Sequence, residues 1–113
     1  MRDLVIIGAG SVGGHIAHNI EEYGLVNRVL GFLDDDPSKQ GKEIFGLPVI
    51  GSCQKVLEMG AIDVVIGIAF PDMKQNILKR IANNSSINYP SLVSKRAWVS
   101  GNVEIGRGSI IYP

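Results

Sequence analysis

With 113 residues, eleven basic against eleven acidic side chains and a single cysteine, the chain is neutral overall and long enough for one domain that buries roughly two thirds of its unfolded surface. Zero net charge supplies no general field for nucleic acid or an anionic membrane, so neither is an expected partner and any bound anion must be held locally. The lone Cys53 excludes an internal disulfide and a cysteine-rich zinc site, and with no secretory segment or apolar run of spanning length a cytoplasmic protein is expected.

Leu4-Val5-Ile6-Ile7 is an unbroken aliphatic run, as expected of a strand buried on both faces of a parallel sheet. Gly8 to Gly14 follows as a glycine-rich turn, and Ile16, Ala17, Ile20 and Tyr23 then recur at helical spacing until Gly24 ends the predicted helix. Val29 to Leu33 reads as the second strand, closed by Asp34-Asp35-Asp36-Pro37, which makes a right-handed βαβ unit. The polar stretch from Ser38 to Gly46 reads as a surface excursion before a short strand around Pro48-Val49-Ile50. Ser52 can cap a short helix, Cys53 to Met59, that Gly60 terminates. Val64 to Ile68 is a further buried strand, and its Gly67 marks a place where another group or backbone comes close. Pro71-Asp72 opens a helix with Ile77, Leu78 and Ile81 on one face, broken by Asn83-Asn84-Ser85-Ser86.

The last fifteen residues follow a different rule. Branched aliphatics recur every six residues at Val99, Ile105 and Ile111, the period of a left-handed parallel β-helix, whose coils take about three hexads and must stack to bury their apolar edges. The fold expected is therefore α/β, a Rossmann-like parallel sheet flanked by helices over residues 1–94, followed over 95–113 by the first, incomplete coil of a hexapeptide-repeat β-helix. The interrupted repeat predicts a continuation beyond Pro113.

Gly8, Gly10 and Gly13 fit G-x-G-x-x-G between a strand and a helix: the first allows the tight turn, the second lets a ligand approach the backbone, and the third allows close packing of helix on strand. The amides of Ser11, Val12 and Gly13 would then face an anion such as a phosphate or pyrophosphate at the positive end of the helix. Asp34, 24 residues beyond Gly10, stands at the tip of the second strand, where a carboxylate can accept hydrogen bonds from ribose hydroxyls or a base edge. Each feature has a plainer reading. Glycines can serve the turn alone, and Asp36 fits a solvated loop before Pro37. His15 and His18 have no third ligand and read as surface or packing residues rather than a metal site. Cys53 lacks a basic partner in sequence and reads as structural, and Trp98 as packing at the junction with the hexads.

The glycine turn, Gly31-Phe-Leu-Asp-Asp-Asp-Pro37, Gly46-Leu-Pro-Val-Ile-Gly51 and the closing hexads, in this order and spacing, resemble the N-terminal domain of bacterial sugar acyltransferases of the sialic-acid O-acetyltransferase type. The resemblance covers all 113 residues. It implies a domain that binds a nucleotide-linked sugar, followed by a β-helix that trimerises and binds the co-substrate acetyl-CoA between subunits. A β-helix histidine acts there as general base toward the sugar amine or hydroxyl. No residue of this chain matches that histidine, so the chain alone is expected to hold no catalytic residue, cofactor or metal, and to be a monomer or weak oligomer of a trimeric parent.

By motif position, the implied substrate contacts fall on Gly8, Gly10, Ser11, Val12 and Gly13 in the turn, on Asp34 and Asp35 at the strand tip, and near Ala69 after the later strand. Relatives commonly carry Gly-His or Gly-Phe where Ser11-Val12 stands here, which removes a side-chain contact and leaves the backbone ones. They also tend to have a glycine where Ala69-Phe70-Pro71 stands, which narrows that wall. Two other readings stay open: an NAD(P)-binding half of an oxidoreductase, which accounts for the first 36 residues and not for the hexads, and a non-catalytic sensor of a nucleotide sugar.

Overall fold

The computed structural model describes residues 2–20, 22, 28–90, 92–93 and 110–111. Strands β1 (Asp3–Ile7), β2 (Arg28–Leu33), β3 (Glu43–Ile44), β4 (Leu47–Gly51), β5 (Ile62–Ile66) and β6 (Ile87–Asn88) form one sheet in the order β3-β4-β2-β1-β5-β6. All neighbours are parallel except the hairpin pair β3 and β4. Helix α1 (Ser11–His18) links β1 to β2, and a 3-10 helix (Cys53–Glu58) links β4 to β5. Helix α2 (Pro71–Ile81) links β5 to β6.

The two sheet faces explain why β1 is an uninterrupted apolar run. Leu4 and Ile6 point into a cluster with Ile16 of α1, Phe32, Val49 and Val65, whereas Val5 and Ile7 point into one with Val56, Val64, Ile66 and the α2 residues Ile77 and Ile81. These four side chains are fully buried, whereas Asp3 at the start of β1 is not. Because β2 lies on one side of β1 and β5 on the other, the chain reverses its winding at the carboxyl end of β1. Such switch points are where open α/β sheets form a crevice.

Four local features depart from the sequence expectation. Helix α1 stops at His18: the Asn19 backbone leaves the helical region at φ −118° and ψ 28°, while its side-chain Nδ2 donates back to the His15 carbonyl at 2.8 Å. Tyr23 and Gly24 lie outside the described residues. The excursion after Ser38 contains the short strand β3, and Phe45 between β3 and β4 takes a left-handed φ of 52° that lays its ring over Gly14 and edge-on to Phe32. Ser52 makes no cap bond; the first N–H of the 3-10 helix, from Cys53, donates instead to Asp35 Oδ1 at 3.0 Å.

The fourth is the start of β5, two residues ahead of Val64. Ile62 and Asp63 belong to the strand although Asp63 is charged and 7% exposed. Arg2 resolves that conflict: its Nε meets Asp63 Oδ1 at 2.7 Å while Nη2 donates to the carbonyls of Ile62 and Ser86. Removing Arg2 takes away the charged partner of Asp63 and leaves it the amide of Asn88, whose Nδ2 donates to Asp63 Oδ1 at 3.2 Å. Since Arg2 is itself partly solvated, Arg2→Ala is expected to lower unfolding free energy by about 1–3 kcal/mol in urea denaturation; an unchanged midpoint would show that water replaces the guanidinium without cost.

Two further short strands, β7 (Leu92–Val93) and β8 (Ile110–Ile111), pair in parallel, Leu92 with Ile110 and Val93 with Ile111. The hexad positions Val99 and Ile105, with Trp98, fall outside the described residues. Among the described residues, no helix is long and apolar enough to cross a membrane.

Candidate functional site

The crevice at the carboxyl ends of β1, β2 and β5 holds a cavity of about 370 Å³. Gly8, Gly10, Ser11 and Val12 form one wall, Asp34, Asp35, Asp36 and Lys39 a second, and Gly67, Ile68, Ala69, Phe70 and Met73 a third, with Cys53 and Ile77 deeper in. Seven of the eight sequence-predicted contacts line this one space. Gly13 does not: a Cβ on it would stand 1.8 Å from the Gly8 carbonyl oxygen, and one on Gly67 would stand 2.6 Å from Gly13 Cα. These glycines let α1 rest directly on the ends of β1 and β5, the close approach expected at Gly67. A Cβ on Gly10 would meet nothing within 4 Å, so its backbone is open toward the cavity.

The first bond inside α1 runs from Gly14 N–H to Gly10 O at 2.8 Å, so the Ser11 and Val12 amides precede the helical ladder at the end carrying partial positive charge. The loop that builds this end is tied to β2 from the other side. Asp34 Oδ2 accepts the Ala9 N–H at 2.9 Å, and Asp34 Oδ1 accepts the Asp36 N–H, also at 2.9 Å. The carboxylate expected to grip a ligand is therefore also a brace that fixes the glycine turn, with its remaining lone pairs directed to its surroundings.

Asp35 binds Arg80 Nη1 of α2 at 2.6 Å as well as the Cys53 N–H, and the guanidinium holds its carboxyl below the ordinary carboxylate range. Asp36 accepts from the Ser38 N–H and hydroxyl, an Asx turn that likewise lowers its carboxyl. The sequence did not single out Lys39, Met73 or Arg80, and named Phe70 only within the segment that narrows the wall. Lys39 sits in a polar loop with no periodicity to orient it, and Phe70 and Met73 look like ordinary helix-start residues although they stand 68% and 55% exposed at the cavity rim. His15 and His18 lie away from this space, and no cluster of metal-ligating residues occurs among the described residues.

Burial, with the Asp35 carboxylate next to it, pushes the Cys53 thiol up to about 12. The folded value lies above the ordinary one of about 8.5, so the fold favours the neutral thiol, and this contribution is full below pH ~8.5 and fades as pH rises toward 12. At pH 8, labelling of Cys53 by a disulfide reagent is expected to be slow in the native state and to accelerate on denaturation. Fast native labelling would place an ionised thiol in the cavity.

A mostly parallel sheet flanked by helices, with a glycine turn, an acidic strand tip and a crevice at its switch point, defines a Rossmann-like domain. Residues 3–81 match the PglD N-terminal domain family, and the chain belongs to it. The acetyltransferase domain of PglB from Neisseria gonorrhoeae FA1090, solved with acetyl coenzyme A, superimposes with a TM-score of 0.79 at 29% identity over 96% of this chain and 52% of that one. A mutant perosamine N-acetyltransferase from Caulobacter crescentus, solved with CoA and GDP-perosamine, shares the fold at TM-score 0.77 and 21% identity, covering 96% of this chain and 51% of that one. The redox-sensing transcriptional repressor Rex 1 of Thermotoga maritima is 36% identical over 84 residues, 69% of this chain and 39% of the repressor. The chain thus spans about half the length of the solved acetyltransferases it resembles.

Proposed function

We propose that this chain is the nucleotide-sugar-binding domain of an acetyl-CoA-dependent sugar acyltransferase. The observation that carries the reading is the convergence, in one crevice, of the open Gly10 backbone, the Ser11 and Val12 amides and the Asp34 carboxylate, in a chain of the PglD N-terminal domain family. In this reading the amides take the diphosphate, Asp34 and Asp35 face the nucleoside, and Ala69 borders the sugar side. The molecules bound to the acetyltransferases of like fold, acetyl coenzyme A in one and CoA with GDP-perosamine in the other, agree with it. So does the register of β7 with β8: from position 92 to position 110 is eighteen residues, three hexads, the length of one coil of a left-handed β-helix.

Acyl transfer itself belongs in this reading to the β-helical part, where acetyl-CoA and a general-base histidine meet between three subunits. Titration with UDP-, GDP- and CMP-linked sugars, followed by calorimetry or NMR, is expected to give saturable binding by at least one, and silence from all three at millimolar concentration would overturn the proposal. The 113-residue chain on its own is expected to show no acetyl transfer from acetyl-CoA; measurable turnover would refute the division of labour.

A second reading, a dinucleotide-binding module, draws on the same glycine turn and on the likeness to the redox-sensing repressor. It leaves the eighteen-residue register without a purpose. Quenching or enhancement of NADH fluorescence at micromolar protein would favour it.

A further inference from the structure

We infer that Lys39 is the cation that admits a diphosphate to this acidic crevice and sets the preference for diphosphate-linked over uncharged ligands; the inference rests on the nucleotide-sugar reading above. Three carboxylates, Asp34, Asp35 and Asp36, border the cavity, and among the described residues Lys39 is the one cationic side chain that lines it. Arg80 already neutralises Asp35, and Asp36 is turned into its own loop by Ser38. Asp34 is the carboxylate left facing the glycine turn, so an arriving anion would meet like charge at the place where the Ser11 and Val12 amides invite it.

Lys39 stands between them. Its ammonium lies 3.8 Å from Asp34 Oδ2 and donates to the Ala9 carbonyl at 3.4 Å. Both contacts are long for a charge-assisted bond, which closes to about 2.7–2.9 Å when well made, so the three N–H donors are only loosely engaged. The side chain is 34% exposed and therefore neither buried against protein nor free in solvent.

The backbone beneath it is fixed. Lys39 N–H donates to Asp36 O, Lys42 N–H to Lys39 O, and Gly41 N–H to Val49 O, while Val49 N–H returns to Lys42 O, which pins the loop to β4. A lysine held by its backbone and loosely tethered at its tip can turn from Ala9 and Asp34 to a phosphate oxygen without moving the sheet.

The test compares Lys39→Gln and Lys39→Arg with the wild-type chain, using UDP and GDP as probes and uridine and guanosine as their uncharged counterparts, followed by amide NMR shifts at two salt concentrations. Lys39→Gln is expected to weaken binding of the diphosphate the wild type accepts by at least about tenfold and to flatten its salt dependence. Nucleoside shifts stay unchanged, and Lys39→Arg restores most of the affinity. Equal diphosphate affinity in Lys39→Gln, an unaltered salt dependence, or a parallel loss of nucleoside response overturns the inference. Wild-type silence toward both diphosphates overturns the inference, and silence toward CMP-linked sugars as well overturns the nucleotide reading itself.

Discussion

Gly13→Ala is expected to destabilise the domain by about 3 kcal/mol or more, while Gly10→Ala, three residues away in the same turn, leaves stability within about 0.5 kcal/mol and abolishes most ligand binding. The contrast follows from what each added methyl would meet. At Gly13 it would lie 1.8 Å from the Gly8 carbonyl oxygen, a backbone atom that can yield only if α1 lifts off β1; at Gly10 it would project into the open cavity. Gly10 also has an ordinary negative φ of −105°, so alanine brings no backbone strain there. Chemical denaturation of the two variants beside a ligand titration of Gly10→Ala reads both halves. A Gly13→Ala chain as stable as wild type would mean that helix and strand are not in contact, and undiminished affinity in Gly10→Ala would move the ligand off the turn.

Asp34→Ala is expected to lower both stability and affinity. Loss of the carboxylate leaves the Ala9 and Asp36 N–H groups without their acceptor and frees Lys39 from its ion pair. For a side chain only 17% exposed this amounts to about 2 kcal/mol, and a fall in Tm of roughly 8–16 °C. Asp34→Asn, whose single amide oxygen can serve one of the two donors, should fall between wild type and alanine. Nucleotide affinity should fall in the same order because the turn that presents the amides loosens. If Asp34→Ala kept wild-type Tm and lost affinity, the carboxylate would be a ligand contact alone; if both stayed at wild-type values, it would be neither brace nor contact.

Much of this was legible in the residues because the determinants are local. An aliphatic run followed by glycines and a helical period specifies β1, the turn and α1. Asp34 at the tip of β2 and Pro71 at the first turn of α2 mark two further boundaries, and Gly67 inside an apolar run signalled the backbone contact with Gly13. What escaped was decided across the sequence. Asp63 interrupts the apolar pattern of β5, and its burial is made tolerable by partners far along the chain, Arg2 sixty-one positions before it and Asn88 twenty-five after. The 3-10 helix is capped by Asp35 rather than by the adjacent Ser52, and Lys39 enters the cavity wall because β4 anchors its loop. Neither polar residues in a loop nor an exposed Phe at a helix start carry a period that tells where they point.

The floor and the rim of the crevice differ in how far they can change. Where Gly8, Gly13 and Gly67 meet, backbone touches backbone and no larger residue can be accommodated, so that junction is closed to mutation in any descendant of this gene. Ala69, Phe70 and Met73 project into open space from a loop and the first turn of α2, and can be exchanged without disturbing a single sheet bond. If the proposed nucleotide-sugar reading holds, a lineage built on this architecture can alter what lies against the rim through point changes at these three positions, while the glycine turn beneath stays inherited.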